Sequence, residues 1–371
     1  MFELLPIRTL VIFFVAFFIS LGASPLSIWF AGKIGAIDMP KDRGMHGSPM
    51  PRLGGLAIFI GSMVAMLICM PIFPGKTIDL AGIYVYSDDR LPGVLIGGFL
   101  IFTVGLIDDI KNLPPKVKLI GQILAAIILF LYSIRFDGIG NPFVEDALQI
   151  IHFPWPVSLL ITVIWVVGIT NAVNLIDGLD GLAGGVSFIS AMCIAYTAYI
   201  HGWYLICIGL LALAGGAAGF LPFNFHPAKT FMGDCGALYL GFMLSAFSIM
   251  NPVKTTTLLV VAVPMLVLAL PILDTAFAII RRMINRRPIM EADKGHLHHR
   301  VMNVGMGQRR TVLILYCISG VMGVSGILIS RALIIDALIP AAIGIVLIYV
   351  FLTGDNSNDD GNMPGKEEDI R

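Results

Sequence analysis

The sequence predicts an all-α, polytopic membrane protein, and three observations support this prediction. Of the 371 residues, 57% are hydrophobic and only 13% are charged. The mean hydropathy is +0.89. Several apolar runs approach the about 20 residues that a helix needs to cross the hydrocarbon core of a bilayer. This composition excludes a soluble globular protein, and no nucleic-acid partner is expected.

Eleven apolar runs are candidate transmembrane helices. They cover 8–31, 54–72, 91–107, 118–134, 155–176, 182–200, 203–221, 236–250, 256–280, 311–330 and 332–353. The third, fourth and eighth runs are short, which leaves ten spans as the alternative count. The chain shows no internal repeat and no linker. We therefore expect one integral membrane domain over 1–353 and a disordered cytoplasmic tail over 354–371.

The basic residues predict an orientation in the plasma membrane. Most of the 24 Lys and Arg residues lie in loops that follow odd-numbered helices. Cytoplasmic loops are the ones enriched in Lys and Arg, so the N terminus is expected outside and the C terminus inside. The conspicuous polar motifs fall in the same set of loops. The active site is therefore expected at the cytoplasmic face.

The first polar motif, IDDIKNLPPKVK, places Asp108 and Asp109 at the end of the third helix. One interpretation is a solvated helix end that Lys111 neutralises. Two arguments weaken it. Carboxylates at a helix C terminus face the negative end of the helix dipole, and adjacent like charges raise the pKa of at least one member. A carboxylate with a raised pKa suits a general base.

The second motif, NAVNLIDGLDGLAGG, follows the fifth apolar run. On a helix, Asn171, Asn174 and Asp177 each step back by about 60° from the residue before, so that they form a polar stripe. The stripe turns toward Asp180 beyond a glycine. Such residues also favour helix ends and turns. A helix end needs one of them, whereas this segment supplies four.

The third motif, FNFHPAKTFMGDCGAL, contains Asn224 and Asp234. Taken alone, Asp234 would be interpreted as the N-cap of the eighth helix. The fourth motif lies in a long basic loop and carries His296, His298 and His299 next to Arg300. Zinc is one reading of this HxHH pattern, but no cysteine or suitably spaced carboxylate completes a familiar set. Phosphate recognition fits the basic neighbours better.

The carboxylates of these motifs would repel each other on one membrane face unless a cation binds them. The five are Asp108, Asp109, Asp177, Asp180 and Asp234. Mg²⁺ is the usual partner where one or two carboxylates and substrate phosphates complete the coordination, and Mn²⁺ is a substitute. The sequence therefore predicts a magnesium and diphosphate site at the inner surface.

The motifs DDIKN, NAVNLIDGLDGLAGG, FMGDCG and ADKGHLHHR, in this order, resemble those of the polyprenyl-phosphate N-acetylhexosamine-1-phosphate transferases, the MraY and WecA group. The similarity runs from about Lys33 to Arg310. It implies Mg²⁺-dependent transfer of a sugar 1-phosphate from a UDP-sugar to a polyprenyl phosphate, with release of UMP. ADKGHLHHR preceded by RRP resembles the WecA and TagO branch, which uses UDP-N-acetylglucosamine. The MraY branch uses UDP-N-acetylmuramoyl-pentapeptide.

The resemblance also implies roles for individual residues. Asp108 resembles the base that deprotonates the lipid phosphate, with Asp109 beside it. Asp234 resembles a metal ligand, with Asp177 as a second. The residues implied in substrate binding are Asn174, Asp177, Asp180, Lys118, Asn224, Phe231 and Arg300, and the histidine motif near the sugar and diphosphate comprises His296, His298 and His299. Ala237 departs from the usual GDxGS by removing a hydroxyl.

Two alternatives remain at this stage. One is transferase activity of the MraY type. The other is an ion-coupled transporter, because carboxylates inside membranes are common there too. A transporter site should lie near the bilayer midplane between repeats, whereas these motifs lie at one face. The expected partners are UDP-GlcNAc, undecaprenyl or another polyprenyl phosphate and the lipid bilayer, and a homodimer is compatible with this class.

Overall fold

The computed structural model describes residues 10–39, 49–70, 77–79, 84–140, 150–250, 264–284, 301–302 and 307–353. Within these residues the long helices are α1 (Val11–Ile34), α2 (Gly55–Cys69), α3 (Leu91–Lys111), α4 (Pro115–Leu131), α5 (Trp155–Leu175), α6 (Leu182–Ile200), α7 (Tyr204–Asn224), α8 (Gly233–Ile249), α9 (Ala269–Ile284), α10 (Gln308–Ser330) and α11 (Ile334–Thr353). The predicted helical fold is confirmed.

Three short antiparallel hairpins accompany the helices. They pair β1 (Ile37–Asp38) with β2 (Met50–Pro51), β3 (Thr77–Asp79) with β4 (Tyr84–Tyr86), and β5 (Gly138–Gly140) with β6 (Ile150–His152). Of the three, the pairing of β1 with β2 matters for the site, since it brings the residues after β2 against the start of α8.

Six of the described helices are long and apolar enough to cross a membrane, and three shorter ones are also apolar. The six are α1, α3, α5, α6, α7 and α10, and the shorter ones are α2, α8 and the Ile334–Val350 part of α11. A multi-pass membrane protein therefore accounts for both the composition and the helices. The orientation across the bilayer stays a prediction.

Helices α7 and α8 form the centre of the bundle. Helix α7 packs against α1, α2 and α6, while α8 packs against α2, α3 and α5. Every residue of α8 from Cys235 to Ile249 is buried. A helix that is apolar on all sides belongs in the interior, surrounded by other helices. The first two residues of α8, Gly233 and Asp234, are partly exposed.

Glycines let the neighbouring helices approach the first turn of α8 closely. A Cβ on Gly105 of α3 would lie 2.5 Å from the Cα of Cys235, and one on Gly55 of α2 would lie 2.1 Å from the backbone nitrogen of Gly236. Small residues at such crossings allow direct contact between backbones in membrane proteins. The ends of α2, α3 and α8 therefore meet at one place.

The ninth predicted run differs most from the structure. It was expected over 256–280, whereas α9 spans Ala269–Ile284 and part of the expected run, 256–263, lies outside the described residues. A helical turn over 264–267 precedes α9, and Pro271 explains the break after it, because proline has no N–H to donate to the carbonyl of Val267 and its ring clashes there. The hydroxyl of Ser190 on α6 donates to that carbonyl instead, at 3.3 Å.

Candidate active site

Two predicted carboxylates meet around one lysine at the ends of α3, α4 and α8. The Nζ of Lys118 lies 3.1 Å from Oδ2 of Asp108 and 2.7 Å from Oδ2 of Asp234. The other oxygen of Asp108 accepts a hydrogen bond from the backbone N–H of Leu113, at 2.6 Å. Asp108 is 4% exposed, so its charge is compensated almost entirely by protein groups. The structure thus brings Asp108 and Asp234 together at one lysine.

Asp109 makes a different set of contacts from Asp108. Its two oxygens accept hydrogen bonds from the backbone N–H groups of Asp234 and Cys235, both at 2.9 Å. Arg52 completes the shell with Nη2 at 3.1 Å. A carboxylate that receives the first N–H groups of a helix acts as its N-cap. This geometry favours a role for Asp109 in positioning α8 over the role of a base.

The backbone at Gly233 explains why the FMGD motif contains glycine. Its φ is +72°, a conformation that other residues rarely adopt. A Cβ there would lie 2.2 Å from the carbonyl oxygen of Arg52 and 2.6 Å from Oδ2 of Asp109. Glycine is therefore required for Asp109 and Arg52 to reach the start of α8.

The turn between α5 and α6 carries Asp177 and Asp180. Asp180 is buried, and its Oδ2 lies 2.8 Å from Nδ1 of His226 and accepts a hydrogen bond from the N–H of Ala228 at 3.2 Å. The side chain of Asn224 accepts from the N–H of Gly181 and donates to the carbonyl of Thr230, both at 3.0 Å. Asp180 and Asn224 therefore join the turn to the segment 225–231.

Asp177 belongs to the same cluster electrostatically. Loss of hydration raises its pKa from an ordinary value of 3.8 to about 7, and the charges of Asp234, Asp109 and Asp180 act in the same direction. Asn174 precedes it on the last turn of α5 and is partly exposed. The turn thus adds a carboxylate that is readily stabilised by a cation.

Phe231 lies at the edge of this cluster. Its N–H donates to the carbonyl of Pro51 at 2.8 Å, and its carbonyl accepts from the N–H of Gly54 at 2.9 Å. The phenyl ring is partly exposed. These backbone contacts hold the segment that leads into α8 against the residues after β2, which include Arg52.

An apolar cavity of about 460 Å³ lies between α5 and α9. It is lined by Phe136, Gly138, Phe153, Ile161, Ile164, Trp165, Gly168, Ile169, Ala172, Met265, Ile272, Thr275, Ala276 and Ile279. The α5 residues among them lead toward Asn174 and the acidic turn. The cavity and the carboxylates are therefore connected by one helix.

Comparison with known proteins places this site in a family. The sequence model for "Glycosyl transferase family 4" matches residues 91–251, which include α3 through α8. The probable undecaprenyl-phosphate N-acetylglucosaminyl 1-phosphate transferase of Bacillus subtilis (strain 168) is 39% identical over 328 residues, covering 88% of this chain and 87% of the relative. The chain belongs to glycosyl transferase family 4.

Two further family 4 relatives differ in their named substrates. The decaprenyl-phosphate N-acetylglucosaminephosphotransferase of Mycolicibacterium smegmatis is 35% identical over 316 residues, covering 78% of this chain and 74% of the relative. The phospho-N-acetylmuramoyl-pentapeptide-transferase of Staphylococcus saprophyticus is 31% identical over 304 residues, covering 76% and 85%. Both branches of the resemblance are thus represented, with the higher identity on the N-acetylglucosamine side.

The described part of this family 4 protein fits a magnesium ion held by few protein ligands. No three His, Cys, Asp or Glu side chains among the described residues converge as a ready-made metal site. Mg²⁺ does not require one, since one or two carboxylates and substrate phosphates commonly complete its octahedron. Asp234 already pairs with one cation, the Lys118 ammonium, and its charge acts on Asp177; the oxygens of these two carboxylates are the hard donors that Mg²⁺ prefers.

Some predicted site residues lie outside the described residues. Two other residues of the site were not predicted. His296, His298, His299 and Arg300 fall outside the described residues, so their roles stay predictions. Arg52 and His226 were not among the predicted site residues. Their positions in inner loops next to predicted motifs were the available signal.

Proposed function

We propose that this family 4 protein transfers N-acetylglucosamine 1-phosphate from UDP-GlcNAc to a polyprenyl phosphate and releases UMP. The observation that carries the proposal is the sharing of Lys118 between Asp108 and Asp234 at the ends of three helices. An ammonium between two carboxylates suits a phosphate-transfer reaction, because the ammonium can bind a phosphate group and a carboxylate can accept its proton. The named activities of the relatives support the same substrates.

The residues suggest a direct phosphoryl transfer. A phosphate oxygen of the lipid attacks the sugar-linked phosphorus, and the bond from that phosphorus to the bridging oxygen breaks as UMP departs. Asp108 is the candidate to accept a proton from the lipid phosphate, and Lys118 is within reach to hold the attacking group. Magnesium, held by Asp234 and Asp177, would supply charge neutralisation on the diphosphate. Positioning and electrostatics would account for most of the rate.

The cavity between α5 and α9 supports a lipid acceptor. Its lining is almost entirely apolar, with Thr275 as the polar exception. An isoprenoid chain needs such a surface, and its phosphate must still reach the carboxylates. Helix α5 satisfies both conditions, because it lines the cavity with Ile164 and Ala172 and then ends beside Asn174. We therefore place the polyprenyl chain in this cavity.

The second candidate is transfer of phospho-N-acetylmuramoyl-pentapeptide. The 31% identity with the Staphylococcus saprophyticus enzyme favours it to a lesser extent than the 39% identity favours N-acetylglucosamine. An ion-coupled transporter is disfavoured by the location of the cluster, since Asp108 and Asp234 lie at helix ends and not at a midplane between repeats.

The test is UMP release by the purified full chain in detergent. UDP-GlcNAc, other UDP-N-acetylhexosamines and UDP-N-acetylmuramoyl-pentapeptide are each supplied with polyprenyl phosphate, with and without Mg²⁺. We expect turnover with UDP-GlcNAc that requires the ion and disappears in Asp108→Asn and Asp234→Asn. Asp88→Asn is the matched control, because Asp88 pairs with Arg90 before the opposite end of α3. Full turnover in both site variants would refute the assignment.

A further inference from the structure

His226 contacts the buried Asp180 and has no role in the reaction as described so far. Its Nδ1 lies 2.8 Å from Oδ2 of Asp180, whose side chain is only 2% exposed. The imidazole itself is 36% exposed. One edge of the ring is thus fixed by a buried carboxylate, while part of the ring faces solvent on the side of the protein that carries the predicted site.

Asp180 determines the hydrogen-bonding character of the exposed edge. A carboxylate accepts hydrogen bonds, so the neutral imidazole carries its proton on Nδ1 and leaves a lone pair on Nε2. Asp180 also accepts from the N–H of Ala228, which restrains the segment on which His226 lies. In this neutral form Nε2 is an oriented acceptor.

The surroundings of His226 are basic. The Nε of Arg309, at the start of α10, donates to the carbonyl oxygen of His226 at 2.9 Å. Lys229 is exposed three residues later, with its Nζ 5.7 Å from the centre of the Phe223 ring. Two cations beside an oriented imidazole match a ligand that combines a diphosphate with N–H or O–H donors. A nucleoside diphosphate has this composition.

We propose that His226 is a nucleotide-binding residue whose Nε2 accepts a hydrogen bond from the uridine part of the UDP-sugar. The inference rests on the proposed function, and it assigns the wall formed by Asp180, His226 and Arg309 to the nucleotide. The acids around Lys118 then face the sugar-linked phosphate, where one bond to phosphorus forms and another breaks. The donor is either the base N–H or a ribose hydroxyl, and substrate analogues separate the two.

Asparagine and glutamine at position 226 distinguish binding from a purely structural role. The amide of Asn occupies the position of Nδ1, so His226→Asn keeps a donor for Asp180 and loses the outer acceptor. Gln places its amide near Nε2, so His226→Gln retains an outer acceptor and loses the contact with Asp180. His201→Asn is the matched control, since His201 also uses Nδ1 locally, with the carbonyl of Thr197, and stacks on Trp203.

The experiment measures UDP affinity and thermal unfolding of the full chain in detergent with Mg²⁺. We expect His226→Asn to bind UDP about tenfold more weakly, the factor that one lost hydrogen bond to a ligand gives, with an unchanged melting temperature. His226→Gln should recover part of the affinity and melt lower. The KM for UDP-GlcNAc should rise in parallel while that for polyprenyl phosphate does not.

Two analogues identify the donor. CDP lacks the N3–H of uracil, and 2′-deoxy-UDP lacks one ribose hydroxyl. The analogue that removes the partner of His226 should bind wild type and His226→Asn equally, whereas the other should retain the tenfold difference. Equal UDP affinity of wild type and His226→Asn would overturn the inference, as would a tenfold loss that persists with both analogues. If wild type binds UDP but releases no UMP from UDP-GlcNAc, the proposed function fails while the binding result still decides the role of His226.

Discussion

At the scale of single residues, adjacent aspartates have separate tasks. Asp108 shares an ammonium with Asp234, whereas Asp109 receives the first N–H groups of α8. The difference follows from helix geometry, because consecutive side chains on α3 point about 100° apart. One of them reaches Lys118 and the other reaches the start of the neighbouring helix.

Lys118→Met should expose the dependence of the two acids on a cation. We expect UMP release to fall by about a hundredfold or more, because charge-assisted hydrogen bonds to two carboxylates are lost. Mg²⁺ should raise the melting temperature of the variant more than that of wild type, since the ion replaces the missing charge. Lys33→Met, which removes an ammonium over the Trp29 ring, is the control. Normal turnover with an ordinary Mg²⁺ response would contradict the assigned role.

Asp177→Asn should stabilise the metal-free protein in a pH-dependent way. The pKa of Asp177 is raised from 3.8 to about 7, so the folded state retains a proton that the unfolded state releases. Stability therefore declines as the pH rises between these values, and the full penalty is present above pH 7. Thermal unfolding with EDTA should show a larger gain for the variant at pH 8 than at pH 5. The exposed Asp336→Asn serves as control, and an equal gain at both pH values would argue against the prediction.

At the scale of elements, α3 and α8 are joined by a cap that one helix supplies to the other. Asp109 bonds the N–H groups of Asp234 and Cys235, and Gly233 and Gly105 allow the approach. The cap lies beside the reacting groups. Fold and activity therefore depend on the same contact between two helices.

Asp109→Asn and Asp108→Asn should separate the effect of this site on folding from its effect on activity. The first removes a charge that holds two backbone N–H groups and Arg52, at a cost of about 2–3 kcal/mol, and should lower the melting temperature strongly. The second should abolish UMP release with a much smaller change in melting temperature. Thermal unfolding and turnover per folded molecule are the two measurements. Equal melting temperatures for the variants would show that Asp109 is not a structural cap.

The helices were predictable from composition, and their contacts were not. Apolar runs gave α6 at its observed bounds of 182–200, because run length and polar flanks are local properties. The break before α9 was missed, since it depends on Pro271, which has no N–H for the carbonyl of Val267, and on Ser190 of α6, whose hydroxyl donates to that carbonyl. The acids were found because their motifs lie on one predicted face. Arg52 and His226 find their partners 57 and 46 residues away, and only the folded chain determines such distances.

At the scale of the whole molecule, polar and apolar functions occupy different regions. The acids cluster at the ends of central helices, and the cavity lies between α5 and α9. Gly168 lines that cavity, and a Cβ there would meet no atom within 4 Å. This position permits a test that fills the cavity without disturbing the acids.

Gly168→Leu should raise the KM for polyprenyl phosphate and leave that for UDP-GlcNAc unchanged. The added side chain takes volume that the isoprenoid chain would fill, and its Cβ meets no atom within 4 Å. Steady-state kinetics with each substrate varied in turn provides the measurement. Leu160→Phe, on an exposed part of α5 outside the cavity lining, is the control. An effect confined to UDP-GlcNAc would place the lipid elsewhere.

The burial of α8 has a consequence for inhibition of this protein. Asp234 in its first turn is partly exposed, and every residue from Cys235 to Ile249 is buried. A compound that recognises this turn would bind a surface whose shape depends on the packing of α2, α3 and α5 against α8. Mutations that spoil the fit of the compound there would also disturb the packing of those helices. Substitutions that confer drug resistance should therefore arise more readily at residues that precede α8, such as Phe231 and Lys229, than in the first turn of α8.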